Sequence, residues 1–197
     1  TPLSNTVDGF WRGLIEGKSG IDFISHFDTS SFPVKVAGEV KDFNPVDYMH
    51  IKRADRTPRC THFAIAASKD ALKSANLDMS AVDPERVGVV IATSGAITLL
   101  ADQGEILKKR GPMRIDPLLI SKIAPSMVPA QVGLEIGAKG LSTSVNSACA
   151  SGSDSLGTAL NHLRLGMADV LLAGGSDSQV SPMGIAITCI VGALSRE

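Results

Sequence analysis

Apolar residues fall into two rhythms along this chain, and the alternation between them predicts its elements. Residues 87–92 (V-G-V-V-I-A) and 168–173 (A-D-V-L-L-A) are short, almost continuously apolar runs, which mark strands covered on both faces. Residues 141–146 form a third β-prone run, and 34–40 a fourth. Elsewhere the spacing is three and four. A helix capped by Asn5 or Thr6 runs through Phe10, Leu14 and Ile15 to Gly17. Further helices are predicted over 61–76, with Ile65 and Leu72 inward, and over 97–108, 117–123 and 126–136. Leu156, Leu160, Leu163 and Met167 define one face of a helix after residue 149, and Ser181-Pro182 opens a last helix through Ile187 and Ile190. Between them, 25–33 reads as a loop and 44–59 as a polar segment. Strands alternating with helices indicate an α/β layered sheet, and no internal repeat is visible.

Composition narrows the function classes. With 197 residues, 44% hydrophobic and 20% charged, the chain is an ordinary globular sequence. A net charge of −1 excludes a generally basic nucleic-acid binder, though it allows local basic clusters such as Lys52, Arg53, Arg56 and Arg59, or Lys108 to Arg110 with Arg114. One Trp and one Tyr are too few for a base-stacking platform. Three cysteines without paired spacing or neighbouring histidines argue against a disulfide framework and a metal site, and point to a reducing, cytoplasmic setting. No run has membrane-spanning length.

The candidate chemistry lies in residues 144–157, S-V-N-S-A-C-A-S-G-S-D-S-L-G. A strand running through a sharp turn into a helix places Cys149 at or just before the helix's first turn, where unpaired N–H groups favour an anion. Ala148, Ala150 and Gly152 keep its surroundings small, and Gly174-Gly175 is expected to allow a close backbone approach. On spacing alone, Cys149 reads equally as a nucleophile or as a buried small hydrophobe. Cys60 and Cys189 have no activating neighbours and read as structural, while His26, His50, His62 and His162 read as surface or structural residues.

The residues themselves go further. N-S-A-C-A-S-G at 146–152, followed by a helix and then A-D-V-L-L-A-G-G-S-D at 168–177, closely resembles the active-site region of the β-ketoacyl-acyl-carrier-protein synthases, condensing enzymes of the thiolase superfamily. S-G-I-D-F-I-S-H-F-D-T-S at 19–30, A-G-E-V-K-D-F at 37–43 and G-A-L-S-R at 192–196 match in the same order. The chain looks most like the elongating type II synthase of bacterial fatty acid synthesis or its polyketide relatives.

The resemblance implies a thiolase-like layered α-β-α fold, with residues 1–197 as its first half, one N-terminal domain incomplete at both ends. The family's first strand, central in its sheet, would be absent, leaving two neighbours with unpaired edges. Cys149 would accept an acyl group from the phosphopantetheine arm of an acyl carrier protein. Decarboxylation of malonyl-carrier protein would then give the carbanion that attacks the thioester. The two histidines and the lysine of that step belong to the family's second half and are not in this sequence. No resident cofactor is implied. Leu118, Leu119, Gly184 and Thr188 fall where the family lines its acyl pocket. Lys52, Arg53, Arg56 and Arg114 fall on its basic surface for the carrier protein, the first three expected on one face. A homodimer is implied, paired through the strand at 142–146, with no nucleic-acid or membrane partner. Two other readings compete: a non-catalytic synthase-like partner, against which the retained Cys149 counts, and a cysteine hydrolase using a local histidine.

Overall fold

The computed structural model describes residues 1–195. They form two compact units, one from residues 45–178 and one from 1–44 with the segment from Gln179 onward.

The smaller unit holds α1 (Val7–Ile15), the strands β1 (Asp22–Phe23) and β2 (Val36–Ala37), and a helix near the chain's end. Thr6 caps α1 as expected, its hydroxyl accepting from Gly9 N at 3.1 Å, and Gly17 follows the helix at φ 64°. The strand expected over 34–40 shrinks to two residues, antiparallel to β1, which had no sequence signal. The reason is Glu39, whose side chain turns inward instead of alternating outward. It is 2% exposed and accepts hydrogen bonds from Ser25 N, Ser25 Oγ (2.7 Å) and His26 N (3.3 Å), fixing the start of the loop at 25–33. Burial pushes the Glu39 carboxyl up, but these donors and the nearby His26 outweigh it and hold it below the usual glutamate range.

The larger unit is built on one parallel sheet. Its elements are α2 (Ile51–Ala54), α3 (Arg59–Ser74), β3 (Val87–Ala92), α4 (Leu99–Arg110), α5 (Leu119–Ile123), α6 (Met127–Ile136), β4 (Ser142–Thr143), α7 (Ser151–Arg164) and β5 (Val170–Gly175). The last helix, α8 (Pro182–Ile190), belongs to the smaller unit. The strand order is β4-β3-β5, with β3 buried along its whole length as its composition predicted. β3 and β5 pair in register over six residues, from Val87↔Val170 to Ala92↔Gly175. The expected pair of unpaired inner edges is therefore not present: β3 has a strand on each side.

Alternation along β3 sends its two sets of side chains to two layers. Val89 and Ile91 join Cys60, Ala64, Ile65, Val128 and Val132 in the core beneath α3 and α6. The polar segment at 44–59 contributes to that core through Met49 and Ala54, so it is not merely a solvated face. On the other side, Gly175 lies against α7: a Cβ there would sit 3.5 Å from Gly152 Cα. The face by which α7 seats differs from the one its leucines predicted. Leu156, Leu160, Leu163 and Met167 are 38% to 61% exposed, whereas Ser155 (0%) and Ala159 (4%) are buried. Small side chains let the helix backbone close on the sheet, which a leucine stripe would hold away. Gly166, at φ 68°, ends α7 before Met167.

Candidate active site

All three strands of the sheet run parallel, so the segments leaving β3, β4 and β5 emerge at one end, the usual place for ligands in open α/β sheets. Ser94 and Asp177, two residues past β3 and β5, clasp each other there. The Ser94 hydroxyl lies 2.8 and 3.0 Å from the Asp177 carboxylate oxygens, and Ser94 N donates at 3.3 Å. The segment leaving β4 carries Cys149.

Cys149 is exposed, Cys60 is buried, and Cys189 is half-buried. The Cys60 thiol is pushed up, first by burial and then by the Asp177 charge, which suits an inert core residue. Cys149 lies in a 3₁₀ turn, Ala148–Ala150, that leads directly into α7. The turn is tight where Ala148, rather than a glycine, takes a left-handed backbone at φ 55°, while a Cβ added at Gly152 would meet nothing within 4 Å. A non-glycine residue in that region costs about 1–2 kcal/mol, and local hydrogen bonds offset it. Ser151 Oγ accepts from Ser147 N at 2.8 Å and donates to Ala148 O at 2.6 Å, and Asn146 Oδ1 accepts from Ala148 N at 3.4 Å. Below the turn, the Ser155 hydroxyl lies 2.7 Å from Gly152 O and 2.8 Å from Gly174 O, sharing its hydrogen between α7 and β5. The left-handed backbone of Ala148, the bridging hydroxyl of Ser155 and the Ser94–Asp177 clasp were not expected from the sequence. The close approach expected at Gly174-Gly175 is made at Gly175, where a Cβ would lie 3.5 Å from Gly152 Cα, and not at Gly174, where a Cβ meets nothing within 4 Å.

Each histidine is engaged locally. His26 stands 3.4 Å from Glu39, and His50 caps α2 by accepting from Lys52 N. His62 Nε2 is 3.0 Å from Ala54 O, with burial holding its protonation down. His162 Nδ1 is 2.8 Å from Thr158 O. It lies 13 residues along the chain from Cys149, about 20 Å at helical rise, too far for a nucleophile–base pair.

Of the pocket candidates, Leu118 and Leu119 stand at the start of α5 in the larger unit, and Gly184 and Thr188 stand one turn apart on α8 in the smaller. Asp116 holds the α5 entry: its Oδ1 accepts from Leu118 N at 2.8 Å and its Oδ2 pairs with Lys122 at 2.7 Å. The Thr188 hydroxyl donates to Gly184 O at 2.8 Å, and Gly184 is required, because a Cβ would come 2.1 Å from Gln179 O.

The basic set divides. Lys52, Arg56 and Arg114 are exposed, and none of them is in an ion pair among the described residues. Arg53 instead turns inward to Glu135 on α6, with Nε to Oε2 at 3.2 Å, so the three residues around α2 do not share one face as expected.

The sequence model described as "Beta-ketoacyl synthase, N-terminal domain" matches residues 1–197. The chain is 35% identical over 187 residues to the 3-oxoacyl-[acyl-carrier-protein] synthase 2 of Synechocystis sp., covering 94% of this chain and 45% of that protein. It spans about half the length of the curated relatives it matches. The ishigamide ketosynthase/chain length factor structure superposes with a TM-score of 0.88 at 28% identity, over 100% of this chain and 49% of that one. A type II polyketide acyl-carrier protein in complex with its ketosynthase gives 0.71 at 25% identity, over 76% and 43%. A match along its whole length, with the thiolase-like layers and the cysteine turn in place, makes this chain a member of the β-ketoacyl synthase family, spanning its N-terminal domain.

Proposed function

We propose that this chain carries the acyl-accepting half of a β-ketoacyl-acyl-carrier-protein synthase acting in fatty acid or polyketide chain elongation. The observation that carries the reading is the exposed Cys149, held by a strained and hydrogen-bonded turn at the carboxyl end of a parallel sheet. The Cys149 sulfur attacks the thioester carbonyl of an acyl-phosphopantetheine, with the Cys149 N–H as the first donor to the developing oxyanion. The carbonyl re-forms as the pantetheine thiolate leaves and takes up a proton. Malonyl-carrier protein then loses carbon dioxide, its carbanion attacks the acyl carbon, and the Cys149 thiolate departs as the β-ketoacyl product forms.

Each by itself, Leu118 with Leu119 in the larger unit and Gly184 with Thr188 in the smaller are proposed to contact the acyl chain. Lys52, Arg56 and Arg114 are proposed to meet an acidic acyl carrier protein, a partner supported by the ketosynthase complex among the structural relatives. The reaction needs no resident cofactor, since the substrates arrive on the carrier's own phosphopantetheine. The setting proposed is cytoplasmic; among the described residues, no helix is long and apolar enough to cross a membrane. A homodimer is proposed through β4, which among the described residues has a strand on one side only.

The test is acyl transfer from acyl-carrier protein followed by peptide mass mapping. One acyl group should appear on the peptide containing Cys149 and be lost in C149A. Acylation at Cys60 or Cys189, or none in a folded protein, overturns the proposal.

A further inference from the structure

The polar tie beneath α2 assigns a role to a residue that the sequence did not single out. Glu135 on α6 is half-buried, its side chain 15% exposed, and it takes two cations at once: Arg53 Nε at 3.2 Å on Oε2 and Lys69 Nζ at 2.6 Å on Oε1. One turn earlier on α6, the Gln131 side-chain oxygen accepts from Arg53 Nη1 at 3.3 Å. Lys69 also donates to the carbonyl oxygen of Tyr48, just before the His50 cap of α2. Both the entry to α2 and its third residue are thereby fastened to α3 and α6.

α2 needs that fastening. It is a single turn of four residues, and a helix so short has no stability of its own. Met49 and Ala54 anchor its inner side in the core, and His62 Nε2 on α3 lies 3.0 Å from Ala54 O at its last residue. The Arg53–Glu135–Lys69 tie fixes the rotation, and with it the directions of Lys52 and Arg56.

We infer that Glu135 is a positioning residue for carrier-protein docking: it withdraws Arg53 from the basic surface and sets α2 so that Lys52 and Arg56 are the cations an acidic partner meets. This rests on the proposed reading of that surface. The alternative, in which Arg53 is itself a docking cation partly neutralised by Glu135, makes the opposite prediction. Removing the Glu135 charge would then strengthen docking.

The experiment measures KM for acyl-carrier protein against salt concentration in the full-length protein, with an acyl-N-acetylcysteamine thioester as the small donor. K52E and R56E should each raise the carrier KM by about five-fold at low salt and flatten its salt dependence, as for a charge at an interface rim. E135Q and R53Q should each raise it by about three-fold, the effect of a partly exposed ion pair, with the salt slope unchanged. R53Q/E135Q should be no worse than R53Q alone. R53K keeps the charge but loses the planar fork, so it should behave like R53Q, and it serves if thermal melting shows E135Q to be unfolded. If K52E and R56E leave the carrier KM unaltered, the docking reading fails and this inference with it. If they raise it while E135Q lowers KM, or while R53Q or R53K flattens the salt slope, docking stands and the role of Glu135 is overturned.

Discussion

Ser155 tests whether α7, and with it the Cys149 turn, is seated as described. Its side chain is fully buried, and its hydroxyl spans Gly152 O at 2.7 Å and Gly174 O at 2.8 Å. S155A deletes the only side-chain hydrogen bond seen between α7 and β5 among the described residues, without adding volume. A lost intramolecular hydrogen bond costs about 1 kcal/mol net, and a carbonyl left dry raises that to about 2 kcal/mol. For a chain of this size the midpoint of thermal unfolding should fall by roughly 4–8 °C. S155V adds a methyl group at a fully buried position where the hydroxyl already lies 2.7 and 2.8 Å from the Gly152 and Gly174 carbonyl oxygens, so overpacking of about 1–3 kcal/mol should come on top. Urea titration reads both variants, and the midpoint should drop with the slope unchanged, since the surface exposed on unfolding is the same. An S155A midpoint equal to the parent's, or an S155V as stable as S155A, would refute the seating of α7 through its small-residue face.

Two further outcomes follow from other parts of the structure. The Glu39 carboxyl is held below its ordinary value when folded, so its contribution is present above that value and is lost as pH falls through the folded one; E39Q should flatten the stability–pH curve below about pH 4, where ordinary glutamates titrate. If the parent and E39Q lose stability in parallel with acid, the clamp on Ser25 and His26 contributes nothing. The homodimer proposed through β4 predicts sedimentation as a dimer at micromolar concentration in the full-length protein, and a monomer there would rule it out.

How much of this was legible depended on whether the physical cause was local. β3 was read to the residue, because a strand buried on both faces leaves a continuous apolar run. β5 begins two residues later than expected, since Ala168 is buried before pairing with β3 begins. The leucines of α7 revealed the helix but not the face it buries, because apolar rhythm marks a face without saying what lies against it. A serine hydroxyl satisfied by two carbonyls looks, in sequence, like a solvent-facing residue. Glu39 and Glu135 were missed for a related reason: one is buried and the other half-buried, with partners 13 to 82 residues away, and no local pattern encodes such pairs.

The Cys149 turn is the opposite case, and it explains why a short motif carried so much of the family resemblance. Asn146 supplies the acceptor for Ala148 N, Ser147 donates its N–H to Ser151, Ala148 takes the left-handed backbone, and Ser151 returns a hydrogen bond to Ala148 O. Every partner lies within four residues, so N-S-A-C-A-S encodes the turn almost by itself. A larger side chain at 148 would add to the strain of φ 55°, and a residue at 151 without a hydroxyl would release two of the three bonds that offset it. The letters around the cysteine are thus constrained by backbone geometry as well as by chemistry. What they leave undetermined is the support beneath them, which comes from Ser155 and from a strand paired at a distance in sequence.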